Sequence, residues 1–185
     1  MSRKAAWCLF VIGMCFVQVG YAAGRLHVEF RYPSNERGAR TDGGGGLIEF
    51  VMTNTGDTPV ELDALDAPKT MDGRLANNVL DIVDGNGNEA PYMGRYVSLY
   101  DKMPTYVTRV ASLQTVVYRL NLGKDYRLES GRTYTVRLNR MIKYSTSPPK
   151  AYGPQSLLAI GSSLAKAEAN SIVVWIDPRE TDVAD

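Results

Sequence analysis

The chain has 185 residues and a formal charge of +1, with 21 basic against 20 acidic side chains and no long run of either sign. That balance excludes the basic patch by which nucleic acid or an anionic membrane surface is bound. The only two cysteines, Cys8 and Cys15, fall in an N-terminal segment expected to be removed, which excludes a disulfide framework, a cysteine zinc cluster and a thiol nucleophile from the mature protein.

Arg3 and Lys4 open the chain, and residues 5–19 behind them are almost wholly apolar. A basic start followed by a short hydrophobic stretch is the pattern of a signal peptide, since a membrane helix needs about 20 apolar residues. Small residues at Gly20, Ala22 and Ala23 put cleavage after Ala22, so residues 1–22 are expected to be lost and the protein to be periplasmic or secreted. Losing Arg3 and Lys4 from the 21 basic residues leaves 19 against 20 acidic. The remaining chain can bury about two thirds of its surface without staples. One domain over residues 23–178 suffices, with an acidic tail at 179–185.

Leu26, Val28 and Phe30 alternate with His27, Glu29 and Arg31, which predicts the first strand. Residues 35–46 hold Gly38, Asp42 and four consecutive glycines, a composition expected of a mobile loop. Residues 47–53 form the second strand. Asn54, Thr55, Gly56 and Asp57 then supply a turn into a third strand through Val60, Leu62 and Leu65, and the two strands are expected to pair as a hairpin. A further strand at 79–83 is closed by the glycine-rich turn 84–88 and resumed at Ala90, Pro91 and Tyr92. Residues 106–110 and 115–120 alternate and are rich in β-branched and aromatic side chains, so both are strands.

Tyr134 stands three residues after Gly131 and leads a strand over 135–138, a spacing that fits a tyrosine corner, where the phenol bonds back to the backbone as the chain changes sheets. Between 139 and 170 the pattern lapses, broken by Pro148, Pro149 and Pro154, with one weak helix predicted at 157–167. A connection of roughly thirty residues, against the usual four to six, is either a disordered excursion or a contact element. Regularity returns at 172–176, where Trp175, like Gly131 and Tyr134, is assigned a structural role. The whole predicts an all-β protein, an antiparallel immunoglobulin-like β-sandwich of about seven to eight strands with a long irregular insertion before the last strand.

Reaction chemistry has little to stand on. His27 is the single histidine, so a two-histidine zinc site cannot be assembled. No Gly-x-Ser-x-Gly elbow accompanies it, which leaves a surface histidine without a catalytic task. Asp84, Asn86 and Asn88 space oxygen ligands as a calcium loop does, but the sixth position is Glu89 rather than glycine and the twelfth is Arg95 rather than glutamate. A hairpin turn is the better reading. The glycines at 43–46 are followed by neither Gly-Lys-Ser/Thr nor a helix start and read as a flexible linker. No cofactor is implied. A carboxylate pair on different strands would be invisible in sequence, and Tyr92, Tyr96, Tyr100 and Tyr106 offer surface aromatics for sugar rings or a partner's pocket.

The succession Val51-Met52-Thr53-Asn54-Thr55-Gly56-Asp57, Val60-Glu61-Leu62, 84–89, Pro91-Tyr92-Met93-Gly94, Tyr106-Val107-Thr108, Leu120, Asp125-Tyr126-Arg127-Leu128 and 131–136, closing with 170–176, resembles the N-terminal prodomain of deuterolysin-type zinc metalloendopeptidases, which include fungal deuterolysins and bacterial peptidyl-lysine metalloendopeptidases. The resemblance is one of strand order and turn words over residues 25–177. The family's catalytic domain with His-Glu-x-x-His is missing from this sequence. What the resemblance implies is a non-enzymatic protein acting in trans on such a protease, as inhibitor or folding partner, through a loop or edge strand entering the cleft. The excursion at 139–170, with Tyr144, Pro148, Pro149, Lys150 and Tyr152, is the expected contact element. The alternative is a periplasmic or secreted adhesion or carbohydrate-binding sandwich that works through surface tyrosines. A hydrolase is a third and weaker reading.

Overall fold

The computed structural model describes residues 23–33, 46–63, 66–68, 70–71, 73–96, 107–146 and 164–178. The expected signal peptide (1–22), most of the glycine-rich loop and the acidic tail lie outside them. Twelve strands are found there: β1 (Leu26–Arg31), β2 (Leu47–Asn54), β3 (Val60–Asp63), β4 (Thr70–Met71), β5 (Arg74–Leu75), β6 (Leu80–Asp84), β7 (Val107–Val110), β8 (Thr115–Asn121), β9 (Thr133–Leu138), β10 (Ile142–Ser145), β11 (Ala165–Ala167) and β12 (Ile172–Trp175).

All the pairings are antiparallel. One sheet runs β1-β2-β8, a second β12-β9-β6 and a third β11-β10-β3-β7, while β4 and β5 pair with each other. The first two sheets have the order of the A-B-E and G-F-C strands of an immunoglobulin-like sandwich. Strand alternation decides which side chains meet between them. Leu26, Val28 and Phe30 of β1, Ile48, Phe50 and Met52 of β2, Ile82 of β6, Tyr134 and Val136 of β9, and Ile172 and Val174 of β12 are all buried in one core. Phe30 and Phe50 pack with ring centroids 5.2 Å apart.

The tyrosine corner is present. The Tyr134 hydroxyl accepts the Glu129 N–H at 2.9 Å, which anchors the chain as it crosses from β8 in the first sheet to β9 in the second. Gly131 takes φ +73°, a conformation that glycine adopts without a Cβ penalty, and its N–H reaches the Ile176 carbonyl at 2.8 Å.

Three expectations are corrected. β2 and β3 do not form a hairpin: β2 pairs with β1 and β8, whereas β3 pairs with β7 and β10. The reason is the burial of Phe50 and Met52 between the sheets, with β1 and β8 beside β2, while the Asn54 side chain ties the intervening turn to Thr58 and the end of β7. The excursion at 139–170 begins and ends in strand, because Ile142 and Tyr144 bury their side chains and β10 adds to β3 while pairing with β11. Ala165–Ala167 is therefore strand and not the end of a helix, and residues 147–163 lie outside the described residues. Trp175 is no core residue. Ile172, Val174 and Ile176 share the inward parity of this segment, whereas Trp175, assigned a structural role from the sequence, points out, 45% exposed.

Candidate functional site

Asn54 stands fully buried at the end of β2. Its Nδ2 donates to the carbonyls of Thr58 (2.8 Å), Ala111 (3.1 Å) and Val110 (3.2 Å), and its Oδ1 accepts the N–H groups of Gly56 (3.0 Å) and Arg25 (3.2 Å). One side chain thus joins the start of β1, the turn after β2 and the end of β7. Gly56 lies so close to the N-terminal segment that a Cβ there would fall 2.4 Å from the Ala23 carbonyl oxygen.

Of the four buried carboxylates among the described residues, Glu49, Asp84 and Asp125, with Glu61 as the fourth, the first three are each held by structural donors. Glu49 sits between Arg31 and Arg119 on the neighbouring strands, at 2.9 and 3.3 Å. Asp125 accepts the Leu75 N–H at 2.8 Å and the Arg74 Nε at 3.3 Å. Asp84 accepts the N–H groups of Asn86 and Asn88, both at 2.9 Å, the Asn88 side-chain amide at 3.2 Å and Arg132 Nη1 at 3.0 Å. The turn 84–88 is therefore a hydrogen-bonded hairpin closed on its own aspartate, with Gly87 at φ +86° and the Val83–Glu89 bridge behind it. No group of three or more His, Cys, Asp or Glu placed to hold a metal ion occurs among the described residues.

The Asn88 N–H, then its side-chain amide, hold the Asp84 carboxyl below the ordinary value of 3.8, with smaller help from Asn86 and Arg132 and against the opposing effect of burial. A folded-state value below the unfolded one means that the stabilisation is fully present above the unfolded value and is lost as pH falls through the folded one. Asp84→Asn is accordingly expected to unfold at a lower temperature near neutrality and to show a shallower fall in that temperature below pH 3.8 than the parent protein. Parallel acid limbs in thermal melts of the two proteins refute this role for Asp84.

His27 is exposed, 3.8 Å from Glu29 on the outer side of β1, with no partner for nucleophilic work near it in that pair. Of the surface tyrosines, Tyr92 is half-buried, edge-on to both Tyr126 (5.1 Å) and Tyr96 (5.3 Å). Burial, then the Asp125 carboxylate, pushes its phenol up to about 12. Tyr96 alone of the three is exposed, and Tyr100 and Tyr106 lie outside the described residues. Of the expected contact residues, Tyr144 is buried in the core and so offers no ring to a partner, while Pro148, Pro149, Lys150 and Tyr152 lie outside the described residues.

The structure brings a different set together at the flank where the first and second sheets meet. Among the described residues β1 and β12 are both edge strands there. Asn170, two residues before β12, accepts the Phe30 N–H at 2.7 Å and donates to the Phe30 carbonyl at 3.0 Å. The Tyr32 hydroxyl donates to the Val173 carbonyl. A cleft of about 440 Å3 lies between, lined by residues 30–32 and 170–173. Beside it Val173 and Trp175, 49% and 45% exposed, stand on the outer face of β12, opposite Thr135 and Thr133 of β9. The alternation of 172–176 carries the signal for Val173 and Trp175 facing outward. Nothing in the sequence marks β1 and β12 as neighbouring edges.

No family model matches this chain, and no curated protein does. Among solved structures it is similar to one described as "X-ray structure of Northeast Structural Genomics Consortium target SoR45", at 11% identity and a TM-score of 0.37, with 88% of this chain and 93% of that chain covered.

Proposed function

We propose that this chain is an exported, non-catalytic binding protein that inhibits, or assists the folding of, a secreted zinc metalloendopeptidase of the deuterolysin type. The observation that carries the reading is the flank of β1 and β12, where two strand edges, a cleft and the outward Val173 and Trp175 lie side by side. Edge strands recognise extended polypeptide through main-chain hydrogen bonds, with neighbouring side chains supplying specificity. An aromatic exposed at such an edge is the kind of anchor around which protein interfaces are built. Glu49, Asp84 and Asp125 are each engaged by arginine or backbone donors in a structural role, which favours recognition over acid–base work. Export rests on Arg3, Lys4 and the apolar stretch behind them, and the choice of partner on the resemblance of residues 25–177 to the family's prodomain.

The test is direct. Mature protein mixed with a purified deuterolysin-type metalloendopeptidase is expected to slow hydrolysis of a peptide substrate in a dose-dependent way, or to raise the yield of active protease on refolding. Unchanged hydrolysis and unchanged refolding yield at micromolar concentrations overturn the proposal.

A further inference from the structure

The backbone of β1 turns alternate residues toward β2. The Thr55 N–H donates to the Arg25 carbonyl at 2.7 Å, so by the alternation of an antiparallel ladder His27, Glu29 and Arg31 face β2 while Leu26, Val28 and Phe30 turn their N–H and C=O groups outward. On β12 the Ile176 N–H donates to the Arg132 carbonyl at 3.0 Å, so Val174 and Ile172 face β9 while Val173 and Trp175 turn theirs away from it. Two rows of main-chain groups therefore run along this flank, and those of Phe30 and Val173 border the cleft lined by residues 30–32 and 170–173.

At that cleft, side chains supply what an added strand would supply. The Asn170 amide gives an acceptor to the Phe30 N–H and a donor to the Phe30 carbonyl, the same pair that a peptide group offers. The Tyr32 hydroxyl takes the Val173 carbonyl from the other side. Turning the Asn170 side chain away uncovers the Phe30 pair without breaking any strand pairing of the sheets, since Asn170 itself lies between β11 and β12.

We infer that this seam is where the partner binds: an extended segment of the metalloendopeptidase enters between β1 and β12, and one of its peptide groups replaces the Asn170 amide on Phe30. The occupant is main chain because the groups it must meet recur at every second residue along β1 and β12, a repeat that an extended strand matches. Its outward side chains are apolar at alternate positions, because a strand added beside β12 sets them next to Val173 and Trp175. The inference rests on the function proposed above and adds the place and the mode of contact.

Asn170 then competes with the partner, and its removal strengthens binding. Asn170→Ala is expected to lower the inhibition constant against a purified deuterolysin-type metalloendopeptidase by about threefold to tenfold, the worth of one or two hydrogen bonds no longer displaced. Trp175→Ala, which leaves the core untouched, is expected to raise it by about tenfold or more. Hydrogen exchange on the complex is expected to slow at the amides of Val28, Val173 and Trp175. A complex that forms with exchange slowed elsewhere, or inhibition that Asn170→Ala and Trp175→Ala both leave unchanged, overturns the seam and leaves the inhibitor standing. Absence of any complex overturns both.

Discussion

Replacing Asn54 by alanine is expected to lower the unfolding free energy by about 3 kcal/mol, since a buried polar group left without its partner costs about 1–3 kcal/mol and several are orphaned together. The side chain serves the N–H groups of Arg25 and Gly56 and the carbonyls of Thr58, Val110 and Ala111. No water replaces it easily, because Asn54 is fully buried and Gly56 is packed against Ala23 and Gly24. Asn54→Asp separates the two halves of the argument. Its oxygens still suit Arg25 and Gly56, but a carboxylate then faces three carbonyls, and the loss near neutral pH is expected to be at least as large as for alanine. Urea denaturation measures both, and a shift of the midpoint at constant slope isolates stability from changes in compactness. A loss under about 1 kcal/mol for both variants would remove Asn54 from the framework of the fold.

Asn54 also marks the limit of what the sequence makes legible. Asn-Thr-Gly-Asp between two apolar runs carries every local sign of a hairpin turn, and local signs say which residues turn, not which strands pair afterwards. The partners of β2 are β1, some twenty residues earlier, and β8, more than sixty later, and that pairing is chosen by the burial of Phe50 and Met52 between the sheets. Tyr134 was readable because its corner is a local motif: a glycine, a tyrosine three positions later, and a bond five residues back along the chain. β10 carried the right alternation in Ile142, Lys143, Tyr144 and Ser145, but four residues bounded by a proline-rich stretch give too short a period to distinguish from chance. β11 carried none. Ala165 and Ala167 have little intrinsic preference for strand, and their conformation comes from pairing with Tyr144 and Ile142. The flank of β1 and β12 was hidden for the same reason: Asn170 and Phe30 are 140 residues apart, and only the closed sandwich makes them neighbours.

Two aromatic side chains test that separation of framework from surface. Phe50→Ala is expected to cost about 3–5 kcal/mol, because the ring is fully buried on the central strand of the first sheet, packs on Phe30, and leaves a cavity that strands fixed on both sides cannot close. Trp175→Ala is expected to change stability by about 1 kcal/mol or less, although tryptophan is the larger residue, because nearly half of it is already in water and its backbone pairing with Thr133 does not depend on the side chain. Phe50→Ala should then weaken partner binding only in proportion to the fraction unfolded, and saturating it under stabilising conditions should restore native affinity. Trp175→Ala should do the reverse, losing affinity while its denaturation midpoint stays close to that of the parent. A tryptophan variant that unfolds as readily as the phenylalanine variant would mean that the outer face of β12 is covered and belongs to the framework, and the flank could not then be a place for a partner to dock.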